Sequence, residues 1–272
     1  MPELSTLLPL FAFMLATGAV AGVLAGLLGV GGGIVLVPAF FFAFDALGYG
    51  GDALMQVCVA TSLATIVVTS WRSVKAHAAR GAVLFEVLRG WGPGIAAGAL
   101  AGALTATLLR SATLTAIFAG LALAVSLYMA FGRAEWRLAD AMPKGRAALL
   151  YAPATGFLSV LMGIGGGSFG VPLMTLHGVA IHRAVATAAG FGMLIAAPAV
   201  LTFLVLPNGA PAPPGTVGYV NLPAFAVIVA MTLLTAPLGA KLAHRLDPKP
   251  LRRVFAAFLF VVALNMLRRV FA

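Results

Sequence analysis

The sequence predicts an all-α protein that crosses a membrane many times and is built from two repeats. The chain has 272 residues, of which 62% are hydrophobic and only 9% are charged, whereas soluble domains carry about 25% charged residues. Its apolar runs are long and continuous, unlike the alternating segments of an outer-membrane barrel. A glycine-rich stretch also occurs twice. We therefore expect a multi-pass helical protein of an inner membrane.

The repeated stretch runs from Gly22 to Pro38 and again from Gly156 to Pro172. The copies, GVLAGLLGVGGGIVLVP and GFLSVLMGIGGGSFGVP, agree at nine of seventeen positions with a constant offset of 134. Each contains three consecutive glycines, which disfavour a continuous helix because glycine loses more entropy than other residues when fixed. At membrane depth a helix break is tolerated where it lines a cavity or binds something. One broken segment per half is typical of secondary transporters.

Ten apolar segments follow one another along the chain, and six of them approach the ~20 residues that span a hydrocarbon core. A polar connector, residues 132–146, separates a first membrane repeat, residues 1–131, from a second, residues 147–272. The segments are Leu4 to Leu28, Ile34 to Phe44, Ala53 to Trp71, Ala82 to Leu109, Thr113 to Phe131, Ala147 to Met162, Phe169 to Leu176, Ala184 to Leu206, Leu222 to Leu242 and Leu251 to Leu267.

Equivalent loops of the two halves carry unequal numbers of basic residues. The loop after Trp71 contains three, up to Arg80, whereas its counterpart, residues 207–217, contains none. The next pair is reversed, with Arg110 alone in the first half and five basic residues within 241–253 in the second. Because basic loops stay cytoplasmic, equivalent loops are expected on opposite faces of the membrane. The repeats are therefore predicted to be inverted.

Inversion requires each half to cross the membrane an odd number of times, so the path of the glycine-broken segments decides the topology. If these segments enter and return on one face, 13 loop Lys and Arg residues are cytoplasmic and 3 are outside. If they cross fully, the split is 9 against 7, which hardly satisfies the positive-inside rule. We therefore predict three spanning helices and one re-entrant hairpin per repeat. The amino-terminal segment is also long enough to cross. If each hairpin is counted once beside the six spanning helices, the protein has eight membrane segments.

Several other classes of protein are disfavoured. The net charge of +10 would suit nucleic acid, but the basic residues cluster in short loops between apolar runs. A single cysteine, Cys58, excludes an internal disulfide and a CxxC metal site, and we expect it to be a core residue. The GxGxxG pattern from Gly165 to Gly170 follows no strand, and there is no nucleophile with a positioned base. We expect no cofactor, no metal and no enzyme activity.

The paired glycine stretches resemble the sulfite exporter TauE/SafE family, as do the VAT triplets after them and the RGAV and GYVNLPA segments. The resemblance covers essentially the whole chain. It implies a bacterial permease for small sulfur-containing anions such as sulfite, sulfonates, sulfoacetate or thiosulfate. Thiosulfate uptake proteins of the wider superfamily use cysteines along the path. Because Cys58 is the only cysteine, sulfite or an organosulfonate fits better.

Each glycine triplet is expected to present free backbone N–H groups at the start of a short helix, where the helix dipole also attracts anions. Close packing of helices through small residues is the alternative role. Ser168 can cap the second short helix and touch the anion, whereas threonine hydroxyls commonly bond a carbonyl of their own helix. The predicted substrate-binding residues are Gly31, Gly32, Gly33, Gly165, Gly166, Gly167, Ser168, Thr61, Ser62 and Thr187.

Ionisable residues within or beside the apolar runs are candidates for coupling or gating. Glu86 and Arg89 are three positions apart and can pair on one helix face, or extend separately to the membrane surface. His177, His182 and Arg183 follow the second glycine triplet. They can attract anions, or they can take up and release a coupled proton. Alternatively, they lie in a solvated loop.

These observations predict a secondary transporter that moves a small sulfur-containing anion by alternating access between its two halves. A passive anion channel lined by the same glycines is the rival from another class, and a thiosulfate uptake permease is the rival within the family. The expected partners are the anion and the lipid bilayer, without nucleic acid. The chain is expected to act as a monomer or homodimer.

Overall fold

The computed structural model describes residues 4–28, 32–132, 136–243 and 248–271, and these residues form ten α-helices and one pair of very short strands. The all-α prediction is confirmed. The first half contains α1 (Leu4–Leu28), α2 (Gly33–Ala46), α3 (Leu54–Ala78), α4 (Phe85–Leu108) and α5 (Ser111–Phe131). The second half contains α6 (Arg146–Leu161), α7 (Gly167–Leu176), α8 (Ile181–Val205), antiparallel strands β1 (Thr216–Val217) and β2 (Val220–Asn221), α9 (Leu222–Ala243) and α10 (Pro248–Phe271).

Five of the described helices are long and apolar enough to cross a membrane, judged by length and composition. They are α3, α5, α8, residues 222–239 of α9 and residues 253–271 of α10. We expect α4 to span as well; its 24 residues include Glu86, Arg89 and three glycines around Pro93, which lower its mean hydropathy. The multi-pass class of the protein is therefore confirmed.

Both glycine triplets coincide with helix breaks at equivalent positions. Helix α2 begins at Gly33 and α7 begins at Gly167, which is the same offset of 134 that relates the two sequence stretches. Helix α7 then returns alongside α6, because His177 at its end packs edge-on against Tyr151 near the start of α6, with ring centroids 6.3 Å apart. The second glycine segment is thus a helical hairpin.

The helices of the two halves interleave. The most extensive contacts join α1 to α9, α4 to α6, α5 to α10 and α3 to α8. In the sequence repeat α1 corresponds to α6 and α4 corresponds to α9, so the α1–α9 and α4–α6 pairings are equivalent. Helix α5 pairs with α10, its own counterpart in the repeat, and α3 likewise pairs with its counterpart α8. Every one of these four pairings crosses from one half to the other.

Glycines let the crossing helices approach closely. A Cβ on Gly102 of α4 would lie 2.9 Å from the carbonyl oxygen of Phe157 in α6. A Cβ on Gly239 of α9 would overlap the carbonyl oxygen of Val23 in α1. These two contacts involve equivalent residues of the two repeats. Contact through small residues is the usual way in which membrane helices pack.

The centre of the molecule is formed by α3 and α8. Residues 54–66 of α3 are all buried, around the whole circumference of the helix, which is the pattern of a helix enclosed by others. The connector between the halves packs against this body, because the Trp91 indole N–H donates to the carbonyl oxygen of Pro143 at 3.2 Å. The N–H of Leu138 donates to the carbonyl oxygen of Leu176 at 2.7 Å, at the end of α7.

Candidate functional site

The two helix breaks meet inside the core. A Cβ on Gly33, at the start of α2, would lie 2.7 Å from the carbonyl oxygen of Gly163 and 3.2 Å from the Cα atom of Ile164. A Cβ on Gly163 would lie 2.7 Å from the Val37 side chain, one turn further along α2. Backbones so close leave no room for side chains. We call this region the junction, defined as Gly32, Gly33 and residues 163–168; Gly31 lies outside the described residues.

Helices α3 and α8 hold the junction on either side. The Ser62 hydroxyl of α3 donates a hydrogen bond of 2.7 Å to the carbonyl oxygen of Gly163. On the other side, a Cβ on Gly166 would overlap the Phe191 side chain and lie 2.5 Å from the carbonyl oxygen of Ala188 in α8. Residues 163–168 are all buried. The junction is therefore enclosed by protein.

The backbones of the two breaks differ at an equivalent position. Gly32 has φ 70° and ψ −15°, in the left-handed region that glycine adopts without strain. Its counterpart Gly166 has φ −63° and ψ −14°, in the right-handed helical region. The middle glycine of the repeated triplet thus has two different backbone conformations in one molecule.

Both short helices begin with free backbone N–H groups. The carbonyl oxygen of Gly32 accepts from Val35 and Leu36, and that of Gly166 accepts from Gly170 at 2.8 Å. Within the described residues, no acceptor pairs with the N–H groups of residues 33, 34 and 167–169, and neither helix has a side-chain cap. Free N–H groups and two positive dipole ends make the junction attractive to an anion.

Ser168 adds a hydroxyl donor to the first turn of α7. The residue is 6% exposed, and its hydroxyl has no hydrogen-bond partner in the described part of the chain. We expected this hydroxyl to cap α7, but Gly166 occupies the cap position and no side chain caps the helix. A buried unpaired hydroxyl costs about 1–3 kcal/mol. A bound ligand that accepted a hydrogen bond here would remove that cost.

The two predicted threonines occupy equivalent places between the halves. The Thr61 hydroxyl accepts from the N–H of Asn221 at 3.0 Å, and the Thr187 hydroxyl accepts from the N–H of Leu84, also at 3.0 Å. Both threonines are fully buried. We had weighed anion contact against bonding to a carbonyl of the same helix, and the structure reveals a third role, since each hydroxyl ties its helix to a loop of the other half. Neither hydroxyl proton has an acceptor among the residues described.

Aromatic residues behind the junction were missed by the sequence reasoning. The Trp91 ring stacks on the Phe191 ring with centroids 6.3 Å apart, and Phe191 packs against Gly166. This stack connects the junction to Pro143 of the connector. An isolated sequence gives no signal for it, because the residues come from three distant segments.

The candidate coupling residues do not gather at the junction. Glu86, Arg89, His182 and Arg183 are exposed, and Glu86 and Arg89 form no ion pair within the described ranges. His177 is different, because it is 6% exposed and its Nδ1 atom lies 2.7 Å from the carbonyl oxygen of Leu173. The solvated-loop alternative is therefore wrong for His177.

Comparison with known proteins identifies the family. The family profile "Sulfite exporter TauE/SafE" matches residues 14–266. A "Probable membrane transporter protein" of Haemophilus influenzae is 33% identical over 253 residues, which cover 93% of this chain and 96% of the relative. A protein of Methanocaldococcus jannaschii with the same description is 28% identical, and the match covers 97% of each chain.

A third relative, "Probable membrane transporter protein YunE" of Bacillus subtilis, is 29% identical over 61% of this chain and 67% of its own length. No solved structure matches the chain. The family profile nevertheless covers almost all of the sequence, and the relatives are described as transporters. The chain therefore belongs to the sulfite exporter TauE/SafE family of membrane transporters.

Proposed function

We propose that this protein is a secondary transporter that moves a small sulfur-containing anion, sulfite or an organosulfonate, across the bacterial inner membrane. The observation that carries the proposal is the junction, where the start of α2 packs against residues 163 and 164 just before α7 and where the buried hydroxyl of Ser168 has no partner among the described residues. Oxygen atoms of a sulfite or sulfonate group accept hydrogen bonds from N–H and O–H donors. The anion would bind between α2 and α7 through these donors.

The contacts at the ends of the helices support the proposed topology of opposed hairpins. The end of α2 is tied to the end of α10 by an ion pair between Asp45 and Arg269, and both ends are predicted outside. The end of α7 is tied to Leu138 of the connector, and both are predicted cytoplasmic. Hairpins anchored in this way would approach the junction from opposite faces.

An enclosed junction favours a carrier over a passive channel. Residues 163–168 are all buried, and a cleft of about 240 Å³ lined by residues of the α8 to α9 connection such as Asn208 and Thr216 contains no junction residue. Movement of the anion would therefore require the halves to rearrange. The different backbones of Gly32 and Gly166 are what two repeats that exchange conformations would show in a single state.

The site also favours sulfite or an organosulfonate over thiosulfate carried by cysteines. Cys58 is fully buried in α3 and is the only cysteine of the chain, as expected for a core residue. The donors at the junction are instead backbone N–H groups and hydroxyls, which suit oxygen acceptors.

The direct test is transport by the purified protein in liposomes. Uptake of sulfite and of methanesulfonate should saturate with concentration, and Ser168→Ala should reduce it about tenfold because one donor is lost. The matched control is Thr115→Ala, since the Thr115 hydroxyl is buried but bonds only the carbonyl oxygen of Ser111 in its own helix. Unchanged uptake by Ser168→Ala would contradict the proposal, and currents that never saturate would favour the channel.

A further inference from the structure

The junction lacks a formal positive charge. No Asp, Glu, Lys or Arg side chain is buried in the described part of the chain. Residues 163–168, by contrast, are buried throughout. An anion held there would be balanced by dipoles and hydroxyl groups alone.

The titratable groups on the surrounding helices do not change this picture. Helix α3 contributes Cys58, which is fully buried, and Arg72, Lys75 and His77, which lie at its far end beyond the buried residues 54–66. Helix α7 contributes His177, ten positions after Gly167 at the far end of the helix. Helix α2 has only Asp45 near its other end, and on α8 both His182 and Arg183 are exposed at the start of the helix. None of these groups places a cation beside the free N–H groups.

The dipoles at the junction are worth about one elementary charge in total. A helix N-terminus acts like roughly half a positive charge, and α2 and α7 both begin here, with 14 and 10 residues. The hydroxyl of Ser168 adds a donor but no charge. Two helix ends can therefore balance one negative charge and leave a second one uncompensated.

We infer that the junction takes singly charged oxyanions and excludes dianions, an inference that rests on the transport function proposed above. The free energy needed to remove an ion from water rises with the square of its charge. In an enclosed site without a cation, the interactions cannot offset this desolvation free energy for a dianion. Hydrogensulfite and simple alkanesulfonates carry one negative charge. Sulfite itself, sulfate and thiosulfate carry two.

A site that takes only singly charged anions would also move a proton together with sulfite. Sulfite takes up one proton near neutral pH, so the transported species would be hydrogensulfite, which brings that proton across the membrane and releases it to water on the alkaline side. The protein would then need no buried carboxylate or histidine to carry that proton. This agrees with the absence of buried acidic side chains from the described residues.

The test is binding of four probes to the purified full-length protein by titration calorimetry. Methanesulfonate should bind with the same affinity at all pH values near neutrality, because its charge does not change. Total sulfite should bind progressively more weakly as pH rises, by about tenfold per unit once the dianion dominates. Thiosulfate and sulfate should bind at least ten times more weakly than methanesulfonate.

Two variants separate this inference from the proposed function. Ser168→Ala should weaken methanesulfonate binding, whereas Thr115→Ala should not. If thiosulfate or sulfate binds as tightly as methanesulfonate and responds to Ser168→Ala, charge selection is overturned while the transport site stands. If the affinity for total sulfite does not change with pH, or increases as pH rises, charge selection is likewise overturned. If no probe binds, the proposed function itself fails.

Discussion

At the scale of single residues, the junction glycines combine two roles that the sequence presented as alternatives. Gly33 and Gly166 are required for packing, because a Cβ at either position would overlap or crowd a neighbouring backbone. The same compact backbone exposes the free N–H groups at the starts of α2 and α7. This close packing sets the start of α2 against residues 163 and 164, which directly precede α7.

A first prediction distinguishes neighbouring glycines. Gly166→Ala should lower the free energy of unfolding by about 1–3 kcal/mol, the usual cost of overpacking, because its Cβ would lie 2.5 Å from the carbonyl oxygen of Ala188. Gly165→Ala is the control, since its nearest neighbour would be the Ile66 side chain at 3.2 Å. Thermal unfolding in detergent measures both. Equal stability of the two variants would contradict the packing described here.

A second prediction concerns the charge at Ser168. Ser168→Asp places a carboxylate beside the free N–H groups of α7, where it can accept their hydrogen bonds and interact with the helix dipole. Such interactions contribute about 0.5–2 kcal/mol, so this variant should unfold at a higher temperature than Ser168→Asn, the neutral control. It should also lose anion binding, because the carboxylate occupies the place of the ligand. A Ser168→Asp protein that still bound methanesulfonate would count against the site.

At the scale of helices and loops, two equivalent hydrogen bonds hold the halves together. The Thr61 hydroxyl accepts a hydrogen bond from the N–H of Asn221, and the Thr187 hydroxyl accepts one from the N–H of Leu84. The members of each pair belong to different halves, and the two pairs correspond in the repeat. A single sequence showed that the threonines were equivalent but could not show their partners, which are more than 100 positions away.

A third prediction follows from this equivalence. Thr61→Val and Thr187→Val should each destabilise the protein by about 1–3 kcal/mol, because each leaves a backbone N–H without an acceptor. Thr115→Val should cost less, since that hydroxyl only bonds a carbonyl oxygen already used by its own helix. Thermal unfolding of the three variants provides the comparison. A small effect of both Thr61→Val and Thr187→Val would show that the loops are held by other contacts.

The sequence was most informative about the helices and their interruptions. Hydropathy located the apolar segments, and the repeated glycines located the interruptions between them. The helices that follow these interruptions, α2 and α7, begin 134 residues apart in the structure, as the repeat predicts. It was least informative where contacts depend on distant segments. The burial of His177 results from packing against Tyr151, and the unpaired hydroxyl of Ser168 results from a cap position taken by Gly166. Neither feature has a local pattern.

At the scale of the whole molecule, interleaving of the halves brings the two glycine-broken segments together at the junction. Helix α1 packs on α9 and α6 packs on α4, so each hairpin is supported by a helix of the other half. A movement of one half would therefore shift the opposite hairpin. Such coupled movement is what the transporter proposed above would require.

A fourth prediction tests the orientation of the chain. In a Cys58→Ala background, Gly209→Cys should react with an impermeant thiol reagent added outside intact cells, whereas Lys144→Cys should not. Both positions are exposed, and a Cβ on Gly209 has no neighbour within 4 Å, so neither substitution should disturb folding. Permeabilised cells provide the control, because both variants should then react. Labelling of Lys144→Cys in intact cells would contradict the inverted topology.

The anion is proposed to bind where α2 and α7 begin. The most direct measurement is an experimental structure of the full-length protein with methanesulfonate. We predict density for the sulfonate within about 3 Å of the Ser168 hydroxyl and of the free N–H groups of Gly33 and Gly167. Density for the sulfonate elsewhere in the protein, with residues 163–168 still packed against Gly33 and no ligand between them, would show that the anion does not bind at the junction.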